Sequence, residues 1–128
     1  MKQPAFIDQC KLKDQRLHDT PADTILHRDK DGPERKNDFH MRSIVGQLNY
    51  LAATTRPEIQ FAVHQCARFV SEPKMSHEKA VKRIVRYLKR TRDKGLILHV
   101  DKSKGIECYV DADFAGGYRK EDPSNPRD

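Results

Sequence analysis

Ser76-His-Glu-Lys-Ala-Val-Lys-Arg-Ile-Val-Arg-Tyr-Leu-Lys-Arg90 decides the reading of this chain. At about 100° per residue, Val81, Ile84, Val85 and Leu88 fall within one arc, and Lys79, Lys82, Arg83, Arg86, Lys89 and Arg90 occupy the opposite side. The spacing predicts a helix over about residues 77–91, capped by Ser76 and closed at Lys94-Gly95. One face packs and the other is almost purely cationic. Such a face either tracks phosphates, each neutralised charge releasing counterions, or is a solvated helix surface, and periodicity does not choose between them. Tyr87 sits at the border of the basic face, where its ring can stack on a base.

Upstream, Ile44, Val45, Leu48, Leu51 and Ala52 recur at helical spacing after a cap at Asn37 or Asp38, and that helix should end near Thr54-Thr55. Arg56-Pro57 restarts the chain. Proline suits a first helical turn, where its missing N–H costs nothing, and Glu58 suits the positive end of the helix dipole. Ile59, Ala62, Val63, Cys66, Phe69 and Val70 form the buried stripe of this second helix, which Ser71-Glu72-Pro73 ends. Residues 1–36 are polar and broken by Pro4, Pro21, Gly32 and Pro33, so beyond a short helix around residues 5–12 this third of the chain is expected to be poorly ordered. Downstream, 96–100 and 106–110 flank Asp101-Lys-Ser-Lys-Gly105 as a β-hairpin.

With 128 residues, of which 36% are hydrophobic and 34% charged and none is Trp, the chain affords one small core. A net charge of +6 and a pI near 9.3 favour polyanionic partners, nucleic acid before an anionic membrane. Cys10, Cys66 and Cys108 are odd in number, scattered, and without a C-x-x-C, so neither a disulfide framework nor a zinc knuckle is implied. No apolar run is long enough to cross a membrane, and an intracellular place, cytoplasmic or nuclear, follows.

Cys108-Tyr-Val-Asp-Ala-Asp-Phe-Ala-Gly116 puts two carboxylates at the end of an apolar run. An aspartate there suits a divalent metal beside a phosphodiester, or it is a plain turn residue. A two-metal nuclease needs more carboxylates from separate elements, and the tail after Asp111 does not supply them. His64 and Cys66 point to different faces of a helix, Ser43 and Ser71 lack a nucleophile-elbow context, and Tyr50 and Tyr109 are expected in the core.

The run from Met41 to Val63, then Pro73 with His77, Ala80 to Lys89, Gly95-Leu96, and Tyr109-Val-Asp-Ala-Asp-Phe-Ala-Gly116 resemble, in order and spacing, the C-terminal part of the reverse transcriptase of copia-type LTR retrotransposons running into its ribonuclease H domain. Residues 3–21 are similar to the segment that follows the polymerase palm. The resemblance implies that the three helices correspond to the thumb and connection region that grips template–primer duplex. It also implies that Asp111 matches the first metal-binding aspartate of the nuclease, which uses Mg²⁺ when intact. The polymerase motif Y-x-D-D is absent, and Met41, Glu58 and Phe114 replace residues more usual in the family.

The expectation is therefore an α+β chain: 1–36, an extended segment after the palm; 37–94, a three-helix thumb/connection-like bundle; 95–128, a hairpin that is the truncated start of a ribonuclease H-like fold. Duplex contacts fall to Lys79, Lys82, Arg83, Arg86, Tyr87, Lys89 and Arg90, and Asp111 is a vestigial catalytic and metal-binding residue. No cofactor is expected for the chain alone. Partners are RNA–DNA hybrid or other nucleic acid and the remaining parts of a retroelement polyprotein, with no membrane. The rival reading is a helical structural or protein-interaction module.

Overall fold

The computed structural model describes residues 2–9, 17–37 and 39–99 and the single positions 101, 103, 105, 108 and 110. The chain divides into two compact units, Met1–Ile97 and Leu98–Asp128. Among its described residues the first holds four helices: α1 (Pro4–Gln9), α2 (Met41–Thr54), α3 (Gln60–Ala67) and α4 (Met75–Arg90), with a 3₁₀ turn, Pro57–Ile59, leading into α3.

The apolar stripe of α4 reads directly into the core. Val81, Ile84, Val85 and Leu88 are essentially fully buried, each contributing about 1.5–3 kcal/mol of burial. They meet Ile44, Val45, Leu48, Leu51 and Ala52 from α2 and Ile59, Ala62, Val63 and Cys66 around α3. α3 packs against both α2 and α4, and α1 reaches α4, burying Ile7 in the same cluster. Pro57 opens the 3₁₀ turn with Glu58 behind it, as the restart after Arg56 implied.

The helix starts differ from expectation. α2 begins at Met41 with His40 as its N-cap residue, because Asn37 is committed to a left-handed turn at φ 53°. α4 begins at Met75, with Lys74 in the N-cap position. The Lys74 backbone N–H donates back to His77 Nδ1 at 3.0 Å, while the Ser76 hydroxyl, expected as the cap, donates outward to Asp29 Oδ2 at 2.6 Å.

The α+β class is corrected to a helical one. Among the described residues there is no strand, only an isolated antiparallel bridge between Glu34 and Lys74. Neither the β-hairpin nor a ribonuclease H-like start is supported. Ile97, Leu98 and Val110 are 76%, 68% and 87% exposed, and a two-stranded ribbon with no layer over its apolar side chains is marginal in water. Ile106, Glu107 and Tyr109 lie outside the described residues. The turn chemistry is nonetheless present. Ser103 donates from both its backbone N–H (3.0 Å) and its hydroxyl (2.6 Å) to Asp101 Oδ1, which holds the Asp101 carboxyl below the usual carboxylate range.

The poorly ordered N-terminal third is likewise corrected for its described residues. The segment 17–37 lies along α4 and runs opposite to it. Met75 N–H donates to Pro33 O at 3.0 Å, Lys36 N–H to Glu78 Oε2 at 3.2 Å, and His77 Nε2 to His27 O at 2.7 Å. Ala22 and Leu26 pack on the core. Local polarity hid this order, since each contact is made to a helix some 40–70 positions later in the chain.

Candidate nucleic-acid interface

The helical period places Lys79, Lys82, Arg83, Arg86, Lys89 and Arg90 off the apolar stripe of α4, and their surroundings then separate them. Lys79 is exposed. Lys82 Nζ donates to Glu78 Oε1 at 2.8 Å, one turn back, and lies 5.5 Å from the Phe39 ring centroid. Glu78 is buried and accounts for this. Its other oxygen accepts from Lys36 N–H and stands 3.5 Å from Arg35 Nε, so two cations and an amide neutralise one carboxylate.

Arg83 and Arg90 face the N-terminal segment. Arg83 Nη1 donates to Asp23 Oδ2 at 2.8 Å, Nη2 to Thr20 Oγ1 at 2.8 Å, and Nε to Thr20 O at 3.3 Å. Arg90 Nε pairs with Asp19 Oδ1 at 2.7 Å. Arg86 Nη1 is 3.5 Å from His18 Nε2. Beyond the helix, Arg92 pairs with Asp8 of α1 at 2.7 Å. From Arg83 to Arg90 the helix rises about 10 Å, the axial span of roughly three phosphates of one strand. Within this structure the same chain supplies acidic partners to Arg83 and Arg90.

Tyr87 is corrected from a stacking platform to a core residue. It is 6% exposed, its hydroxyl donates to Glu58 Oε1 at 3.4 Å, and the Arg56 guanidinium stands 5.7 Å from its ring centroid. Tyr50 departs in the other direction, half exposed on α2 with its ring 5.2 Å from that of Phe6. Asp111 and Tyr109 lie outside the described residues, and among the described residues no three His, Cys, Asp or Glu side chains gather to hold a metal ion. His64 is exposed while Cys66 is buried, so the two do lie on different faces of α3.

Sequence reasoning missed the buried polar groups, Arg56 and His77 among them, and the acidic partners. Arg56, 1% exposed, pairs with Glu58 at 2.7 Å and donates to Thr91 O at 3.0 Å and Thr91 Oγ1 at 2.5 Å, tying the start of α3 to the end of α4. His77, fully buried, stacks on Phe69 at 4.4 Å. The available signal for Asp19 and Asp23 was their spacing of four against the cations of α4. A small cleft under the segment is lined by Pro21, Ala22, Leu26, Gln65, Cys66 and Ile84, and burial there pushes the Cys66 thiol up to about 12.

No protein-family profile and no solved structure matches the chain. Among curated proteins, the retrovirus-related Pol polyprotein from transposon RE1 of Arabidopsis thaliana is 44% identical over 75 residues, covering 59% of this chain and 5% of the polyprotein. The corresponding polyprotein from transposon TNT 1-94 of Nicotiana tabacum is 40% identical over 74 residues, 58% of the chain and 6% of its own length. The chain belongs with the Pol polyproteins of copia-type transposons. An uncharacterized mitochondrial protein of Arabidopsis thaliana is 31% identical over 121 residues, 87% of this chain and 50% of that protein. The copia-type motifs fall mainly on packing positions. Met41, Ile44, Leu48 and Leu51 fill the core side of α2, and Val81, Ile84 and Leu88 that of α4.

Proposed function

We propose that this chain corresponds to the C-terminal, thumb and connection part of a copia-type reverse transcriptase leading into ribonuclease H, and that its own capacity is sequence-nonspecific binding of RNA–DNA duplex, without catalysis. The observation that carries the reading is the order of the motif runs from Met41 to Val63 and Ala80 to Lys89, which fall in turn on α2, α3 and α4, in a chain related to Pol polyproteins. The row Arg83, Arg86 and Arg90, with exposed Lys79 at the other end of α4, supplies charge for phosphates without any reader of base edges. The chain carries no Y-x-D-D. Mg²⁺ belongs to the complete nuclease, with Asp111 as its first aspartate, and duplex binding needs none. The reading places the chain in the cytoplasm or nucleus.

A second reading, a helical structural or protein-interaction module, is favoured by one observation: Arg83 and Arg90 are already paired with Asp23 and Asp19. Fluorescence anisotropy with a labelled hybrid duplex separates the two. If about four contacts form, log affinity falls with log salt at a slope of roughly −3 to −4, with little preference between sequences. Arg86→Glu with Arg90→Glu weakens binding while leaving helicity intact. Equal affinity of wild type and double variant, or a flat salt response, moves the chain to the second reading.

A further inference from the structure

We infer that residues 17–23 are an acidic arm that occupies the phosphate-binding row of α4 in place of nucleic acid, so that duplex gains access to Arg83 and Arg90 by displacing Asp19, Thr20 and Asp23. The inference rests on the duplex-binding reading above and adds the control of that site. From 17 to 27 the chain carries two carboxylates, Asp19 and Asp23, and no Lys or Arg. Both carboxylates are spent on this row, at 2.8 Å from Arg83 and 2.7 Å from Arg90. Thr20 adds its hydroxyl and carbonyl oxygens to Arg83, at 2.8 and 3.3 Å. A guanidinium bonded to a carboxylate and two neutral oxygens is bonded much as it would be to phosphate oxygens. The arm imitates a short piece of backbone.

The arm and its anchor are held by different forces. Beyond the arm, Leu26 packs against the core and His27 O is fixed by buried His77, contacts that salt barely affects. The ion pairs are at the surface, with Asp23 and Asp19 side chains 59% and 78% exposed, and Leu17 is half exposed. Exposed pairs are weak and exchangeable. A duplex that presents several phosphates at once outcompetes two carboxylates, and the apolar anchor keeps the displaced arm close enough to return.

The test compares wild type, an arm variant (Asp19→Asn with Asp23→Asn) and a variant of equal net charge (Asp31→Asn with Glu72→Gln), whose carboxylates make no contact with the row. Affinity for a labelled RNA–DNA hybrid is read over a salt series, with far-ultraviolet circular dichroism to verify equal helicity. The arm variant should bind about 2- to 30-fold tighter than the charge-matched variant, with a salt slope steeper by about 1–2. In wild type, added duplex should speed amide deuterium exchange at residues 18–23 and leave Leu26 and His27 unchanged. Binding by the arm variant alone supports the arm and overturns duplex binding by the intact chain. Equal affinities of arm and charge-matched variants, with wild type binding, overturn the arm and leave the duplex reading intact. Absence of binding by all three overturns both.

Discussion

His77 Nε2 donates to the carbonyl oxygen of His27 at 2.7 Å, and the tautomer follows from the other side of the ring. Nδ1 receives the Lys74 backbone N–H at 3.0 Å, so it is an acceptor and the proton sits on Nε2. One neutral imidazole thus closes the start of α4, stacks on Phe69 and pins the N-terminal segment across 50 positions of sequence. His77→Ala strands a buried N–H and a carbonyl and opens a void. A loss of about 2–4 kcal/mol is expected in chemical denaturation, with faster exchange of amides at 26–28. A loss below about 0.5 kcal/mol would contradict this role.

Arg56 should not tolerate lysine. Its fork reaches Glu58 and both oxygens of Thr91 at once while lying under the Tyr87 ring, and a single ammonium cannot reproduce that geometry. Arg56→Lys should cost about 1.5–3 kcal/mol, mostly through Thr91. Thr91→Val in the Arg56→Lys background should then add less than Thr91→Val alone, which a double-mutant cycle reads directly.

Leu48 and Ile84 test the core itself. Both are buried to 1% exposure or less, and truncation of either to Ala should cost about 2–5 kcal/mol. In a chain of this size that approaches the whole stability, so thermal melts of the variants should broaden or vanish.

Cys66 should ignore thiol reagents at neutral pH until the protein unfolds, whereas exposed Cys108 reacts at once. Mass mapping after brief alkylation reads both sites. The pH consequence has a definite sign. Folding raises the Cys66 pKa from 9.0 to about 12, so the stability tied to the protonated thiol is complete below 9 and lost as pH climbs toward 12. In that window the advantage of wild type over Cys66→Ala should shrink by about 1.4 kcal/mol per pH unit.

The helices were legible because their information is local. Ile44, Leu48 and Leu51, or Val81, Ile84 and Leu88, repeat at three and four, and a period of 3.6 turns that spacing into one buried face wherever the helix ends up. The restart at Arg56-Pro57 and the end of α2 were local as well. The likeness to copia-type polyproteins rests on the order of these same residues. The expected hairpin shows the limit: the apolar runs at 96–100 and 106–110 describe a willing strand, but pairing needs a covering layer that local pattern does not specify.

By itself, then, the sequence determined three amphipathic helices, their apolar faces, a cationic side to α4 and the family to which they belong. Only the tertiary structure decided what that cationic side meets, that Tyr87 and Arg56 are buried together, and that a polar, proline-broken N-terminal segment lies along α4. The physical reason is range. Helical periodicity is written within seven residues, whereas Asp23 finds Arg83 across 60 positions, and nothing in either neighbourhood encodes the other's place until the core has closed between them.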